Sequence, residues 1–415
     1  MMLPPSNKNL PIEKLVQIFQ DKTASYKLLL FKSVLEEAHK ISHNKDSNGF
    51  VEISYSTLSA NMLSIASYPI QMFKFSFGYS DKIIERINDV ESLTDWKLNS
   101  LAMNEQEIKH NLISKFQNFK LKKIEDELLV KNVLWRLLNP WFSLSHIKSD
   151  SEKKINVEIG SQDLALKTLY SIFPKERKVL VSPVWLEYLQ ENYSILLGWW
   201  EINFVRYIEK NNPGVPNIAG KLELPKDSNL KYAREYWQEF IKFKKPVCVF
   251  SKTPIEQPYG IDHFLPWSYL GHDEMWNLAP LKKSFNSSKY NHLPAFDYVE
   301  PFAKLQWNFL KFHLDKSNVK LKNIHLECYP RDLKIKLEDL PQNSFSEPNE
   351  TFIKAYSDLY KLDYARAERM GFDVGWPFKV IEFISPNLLE KTNNIIFSPA
   401  QRERYKSCVP FINLK

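Results

Sequence analysis

The stretch from Tyr259 to Pro294, YGIDHFLPWSYLGHDEMWNLAPLKKSFNSSKYNHLP, constrains this chain more than any other. It holds an adjacent aspartate and histidine, Asp262 and His263, and two asparagines, Asn277 and Asn286, that follow the histidine by 14 and 23 positions. Neighbouring residues on an extended segment point to opposite faces, so His263 can face one side of a strand while Asp262 faces the other. A neutral imidazole accepts a proton, and an unperturbed histidine titrates close to neutrality. An Asp carboxylate beside an Asn carbonyl gives two hard oxygen ligands. That set suits a cation that keeps several waters, as magnesium does, and is poor for zinc, which prefers thiolate and imidazole. Asn286 lies in the polar run Lys282 to Lys289, KKSFNSSK, which reads as the start of a short helix capped by Ser284.

Phosphodiester hydrolysis needs a group to deprotonate the attacking water and a cation to neutralise charge on the phosphate and the leaving oxygen. The segment resembles the HNH, or ββα-metal, nuclease family, and in particular the HNH domain of the RNA-guided type II CRISPR effectors. The resemblance rests on Asp262-His263, two hydrophobic residues and Pro266, then Asn277 and Asn286 at matching separations, and the closing Leu293-Pro294. It implies that Asp262 and Asn286 hold the metal, that His263 is the general base, that Asn277 locks the loop orienting the histidine, and that Lys289 approaches a phosphate. It implies Mg2+ as the ion, with Mn2+ able to substitute. Two departures matter. Many HNH nucleases bind a structural zinc through two Cys-x-x-Cys pairs, but here only Cys248 occupies such a place, with Ser251 three residues on, so no structural zinc is expected. Type II effectors are also far larger and carry a second nuclease domain, of which no trace is found, so an RNA-guided role does not transfer with the motif.

A chain of 415 residues has room for two or three domains. Its 44% hydrophobic and 14% aromatic content allows a sizeable core, while only 10 glycines argue against Gly-rich phosphate loops and against a sheet with many tight turns. The nearest decoy, Gly214 to Leu222, has one residue too many between its glycines and lacks the hydroxyl that would bind magnesium. The net charge of +7 has the sign expected for a polyanion partner. The odd, widely spaced Cys248, Cys328 and Cys408 imply no disulfide framework and fit a reducing cytoplasm. The polar N-terminus does not read as a signal peptide. The most hydrophobic window, Tyr193 to Tyr207, is broken by Glu201, Asn203 and Arg206, so no membrane span is expected.

Helical periodicity marks Pro11 to Phe19, Ala24 to His39, Asp81 to Asp89, Asn104 to Lys120, Glu125 to Leu138, Gln162 to Ile172, Tyr232 to Lys244, Tyr298 to Leu314 and Thr351 to Met370. A further helix is capped by Thr57 and ended or kinked by Pro69, and another runs from Ser182-Pro183 to about Glu209. The latter carries Trp185, Leu189, Leu196, Trp199 and Trp200, a core stripe or, on the minority reading, a surface for stacking unpaired bases. Val51, Ile53 and Tyr55 alternate as a strand would, and Pro246 to Phe250 suits a buried strand. In the motif, Tyr259 to Phe264 and Asn277 to Ala279 read as the two strands and Ser284 to Tyr290 as the helix, with Trp267 and Trp276 packing beneath the loop. His272 and His292 fit structural or solvent roles better than ligation. Val319 to Asn349 reads as loop, and Pro377 to Lys415 gives no motif.

The expected fold is therefore mainly α with a small α+β ββα-metal (HNH) nuclease core: a helical region at 1–245 for recognition or docking, the core at 246–297, and a helical extension at 298–415. The expected function is a metal-dependent HNH endonuclease cutting DNA through its phosphate backbone by a single-metal mechanism, in a setting of bacterial defence or restriction. A non-catalytic HNH scaffold in a nucleic-acid-binding or assembly subunit competes with it, as does an RNase using the same site. A homodimer or a protein partner is compatible with either.

Overall fold

Two hydrophobic cores organise the computed structural model, which describes residues 3–20, 24–40, 49–98, 105–116, 121–131, 133–222, 230–316, 326–341 and 347–376. The first gathers apolar residues from Leu10 to Ile218, and the second those from Ala233 to Trp376. No helix of the described residues is long and apolar enough to cross a membrane.

In the first core, helix Tyr26–Lys40 buries its apolar stripe, Leu29, Leu30, Val34 and Leu35, against helix Tyr55–Phe73. The cap of the second helix lies a turn earlier than Thr57: Ser54 Oγ accepts from the Thr57 N–H at 3.1 Å, because Ser54 is the last extended residue. Pro69 does not end this helix, which runs on to Phe73 and stops at Lys74 in the left-handed conformation. Trp185, Trp199 and Trp200 are buried, Trp199 stacked on Phe19 and Trp200 on Phe204. The aromatic stripe is thus core and offers no platform for bases. Its helix is two, Pro183–Glu191 and Tyr193–Asn211, broken at Asn192.

A three-stranded antiparallel sheet edges this core, with strands β1 (Val51–Ser54), β2 (Ser171–Phe173) and β3 (Lys178–Val181) in the order β1-β3-β2. Strand β2 replaces part of the helix expected over Gln162 to Ile172. There the Asp163 side chain caps a single 3-10 turn, Leu164–Leu166, which Lys167 closes in the left-handed region, releasing the Ser171-Ile172-Phe173 run to pair with β3.

The second core wraps strands β4 (Tyr259–His263) and β5 (Leu278–Lys282) with helices Lys231–Lys244, Val299–Lys316 and Glu350–Arg369. The chain on both sides of 246–297 therefore shares its core. Pro246 to Phe250 is a turn and not a strand. Cys248 N–H donates to the Thr253 carbonyl at 2.8 Å and Lys252 turns left-handed, while prolines at 246 and 254 remove the N–H groups that a longer ladder would use. Within the expected loop Val319 to Asn349, helix Cys328–Leu333 forms because Cys328, Tyr329 and Leu333 have an apolar surface to bury against. The remainder of that segment at 319–325 and 342–346, the connector at 223–229 and the tail from Pro377 onward lie outside the described residues.

Candidate active site

Strands β4 and β5 pair antiparallel, with Tyr259 opposite Lys282, Asp262 opposite Ala279 and His263 opposite Leu278. A helix, Lys283–Lys289, follows directly. The second strand begins one residue later and runs three residues further than the sequence suggests, because Pro280 sits in the ladder opposite Ile261. The helix starts at Lys283 with Lys282 as its cap residue and no side-chain cap bond, so Ser284 is inside the helix and does not cap it.

Beyond His263 the chain must leave the ladder, and a buried asparagine governs how. Asn277, fully buried at the end of a 3-10 turn, accepts from the Leu265 N–H through Oδ1 at 2.8 Å and donates through Nδ2 to the Leu265 carbonyl at 2.9 Å. Its own carbonyl accepts from the Phe264 N–H at 2.7 Å. The side chain thus satisfies both backbone groups of a residue that has left the sheet, groups that would otherwise be buried without partners.

The loop so fixed carries Asp273 back to the histidine. His263 Nε2 lies 2.7 Å from Asp273 Oδ1, and both side chains keep some exposure, 13% and 28%. Since a carboxylate only accepts, Nε2 carries the proton in the neutral ring, and Nδ1 keeps its lone pair. Asp273 is itself held: its carbonyl accepts from the Tyr232 hydroxyl. The next residues are tied to the C-terminal helices, Glu274 to Arg331, Trp276 Nε1 to Asp332 at 2.9 Å, and the Trp276 carbonyl to the Tyr356 hydroxyl at 2.9 Å. Burial lowers the His272 pKa, its ring packs on Trp276, and its Nδ1 takes the Glu274 N–H, so it serves the loop. His292 is lowered in the same way. Trp276 lies in the second core, while Trp267 packs against Phe73 of the first.

On the opposite face of β4, Asp262 meets the helix. Its Oδ2 lies 3.0 Å from Lys289 Nζ, and that ammonium also donates to the His263 carbonyl at 2.6 Å. Lys289, expected to approach a phosphate, is turned inward and wholly buried; its cation is matched by the one carboxylate beside it. Asn286, one turn earlier on the same helix face, hangs over Gly260. A Cβ on Gly260 would come within 3.2 Å of Asn286 Nδ2, and Gly260 and Asp262 share a face of the strand. The Asn286 amide is half-buried and makes no hydrogen bond among the described residues, and the same holds for Asp262 Oδ1. An unpartnered amide and a free carboxylate oxygen on one face form a donor set that fits a hard divalent cation completed by waters and substrate oxygen. The structure thus joins Asp262, Asn286 and Lys289 on one side, and His263 to Asp273 with Asn277 behind it on the other. Asp273, which sequence reasoning missed, is marked in the sequence only by standing in a loop whose return path one sequence does not disclose.

Residues 248–295 match the family model of the HNH endonucleases. No curated protein and no solved structure matches the chain. The matched segment runs from the Cys248 turn to the residue after β6 (Leu293–Pro294), and so contains every residue described above at the strand pair and helix. An HNH endonuclease segment supports nuclease activity, implies nucleic-acid binding, and belongs to a family that generally uses a divalent metal.

Proposed function

We propose that the chain is a divalent-metal-dependent endonuclease that hydrolyses DNA, with a ββα-metal core formed by β4, β5 and helix Lys283–Lys289. The observation that carries the reading is the His263–Asp273 pair at 2.7 Å set on the same strand as Asp262, whose carboxylate and the Asn286 amide share a face.

In this reading His263 takes the proton of the attacking water at Nδ1. Asp273 holds the ring in the tautomer that leaves Nδ1 free and stabilises the imidazolium once the proton has moved. Asp262 and Asn286 would hold the ion, magnesium by the hardness of their oxygens, with manganese able to replace it. When bound, such an ion neutralises charge on the phosphate and on the leaving oxygen. Lys289 holds the Asp262 carboxylate in place and pins the His263 carbonyl, so it acts on the site from behind. Asn277 fixes the exit of β4 and with it the direction of the imidazole.

Matched single strands and duplexes of DNA and RNA, end-labelled and incubated with the full chain in Mg2+ or Mn2+, test the assignment. Cutting of DNA alone is the expected result. Cutting of RNA alone would make the chain a ribonuclease using the same groups, and cutting of neither would leave the segment a scaffold.

A further inference from the structure

Beside the catalytic strand lies a cleft of about 900 Å³ built from three pieces of chain: the end of helix Lys231–Lys244, the turn around Cys248, and helix Val299–Lys316. Five lysines line it, Lys244, Lys245, Lys252, Lys304 and Lys311, and no aspartate or glutamate does. Lys304 is paired with Glu300 at 2.6 Å on its own helix, whereas no ion pair to Lys244, Lys245 or Lys252 is present among the described residues. Between the cations stand apolar groups that water would ordinarily drive inside: Phe243 is 57% and Val247 53% exposed, with Phe312 packed against Phe243 at 5.9 Å.

The cleft adjoins the strand that carries Asp262: Cys248, Val249 and Leu305 of its floor also line a water-sized crevice whose wall includes Asp262. Most of the cleft belongs to chain outside the matched segment 248–295.

We propose that this cleft, beside the strand that carries Asp262, binds a single strand of nucleic acid, the lysines along its phosphates and Phe243 against a base; the inference rests on the endonuclease reading. Lys244, Lys245 and Lys252, without ion pairs among the described residues, answer a polyanion, and an exposed aromatic ring among them answers an unstacked base, which a paired duplex does not present. An acidic peptide would satisfy the lysines but has no use for the ring.

The test is binding of a fluorescent oligothymidylate in EDTA, followed by anisotropy across a salt series, for the full chain and for Lys244→Glu/Lys245→Glu/Lys252→Glu. The three positions are exposed, and circular dichroism of the variant serves as the check on its folding. Binding is expected to weaken at least about tenfold, with the log–log salt slope shallower by about 2, since each single-strand phosphate contact contributes roughly 0.7. Phe243→Ala is expected to weaken binding with the slope unchanged. Unchanged affinity and slope in the triple variant would overturn the proposal, as would tighter binding of duplex than of single strand, or displacement of the oligonucleotide by polyglutamate at equal charge. Plasmid cleavage by the same proteins separates the two claims. Lysine-dependent binding without cleavage leaves the cleft and removes the nuclease, while cleavage with lysine-independent binding does the reverse.

Discussion

At the scale of single residues, the proposed site rests on Asp262, His263, Asp273 and Asn277, each with a defined partner. Replacing His263 by Ala removes the proposed proton acceptor and is expected to lower kcat by about 10²–10⁴, the usual share of a general base. Asp273→Asn keeps the shape but offers Nε2 an amide. The expected loss is smaller, falls on kcat with KM little changed, and is read from steady-state cleavage. Asn277→Ala leaves the buried Leu265 N–H and C=O without partners, at about 1–3 kcal/mol each. Asn277→Asp keeps the acceptor but turns a buried carboxylate toward the Leu265 carbonyl, so urea unfolding should place it no higher than Ala. That Asp262, His263, Asn277 and Asn286 gather around one strand pair and its helix was legible because their spacing is a local property of one stretch. Asp273 was not, since its approach to His263 is set by a loop that folds back under the control of Asn277, Tyr232 and Asp332. The inward turn of Lys289 was equally hidden: a lysine in a polar run reads as solvated until the partner beneath it is known.

At the scale of elements, the two strands and the helix were legible in kind but not in bounds. Alternation locates β4, but Pro280 interrupts the pattern of β5 although it stands in the ladder, and no side-chain cap marks the start of helix Lys283–Lys289. Pro246 to Phe250 and Gln162 to Ile172 were misread for one reason: short apolar runs carry no period of their own, and turn residues beside them, Lys252 and Lys167 in left-handed backbone, decided the outcome. Gly260 gives this scale its test. It lies in a strand with ordinary backbone, so Gly260→Ala should not lower stability, yet its methyl would press on Asn286 at 3.2 Å. Activity and manganese affinity are expected to fall while the melting temperature holds or rises. Equal loss of both would show that Gly260 serves the fold alone.

For the whole molecule, the joint between the two cores holds a buried charge. Lys221 of the first half is fully buried, lies over the rings of Phe75 and Tyr269, and donates to the Tyr269 carbonyl. Burial lowers its pKa to about 7, only partly offset by Asp363, whose own carboxyl is raised by burial. The unfolded chain therefore holds this proton to higher pH than the folded one. Stability should rise from about pH 7 toward the ordinary lysine range, by at most about 1.4 kcal/mol per pH unit. Lys221→Met should lack that increment, a difference that paired urea titrations at about pH 7 and about pH 9 would show. None of this was legible in the sequence, where Lys221 reads as one more cation near a glycine. What the sequence disclosed at this scale was the predominance of helix, while the packing boundary between Ile218 and Ala233 emerged only from which apolar faces meet.

The central claim, that His263 and the Asp262 face cut phosphodiester bonds, is tested most directly by relaxation of supercoiled plasmid in Mg2+. The full chain, the same chain in EDTA, and the variants His263→Ala and Asp262→Ala are compared on one gel. One such site cuts one strand, so nicked circles are expected first and linear product later, with both lost in EDTA and in either variant. Cleavage that survives in His263→Ala, or a parent chain inert in both Mg2+ and Mn2+, would contradict the account.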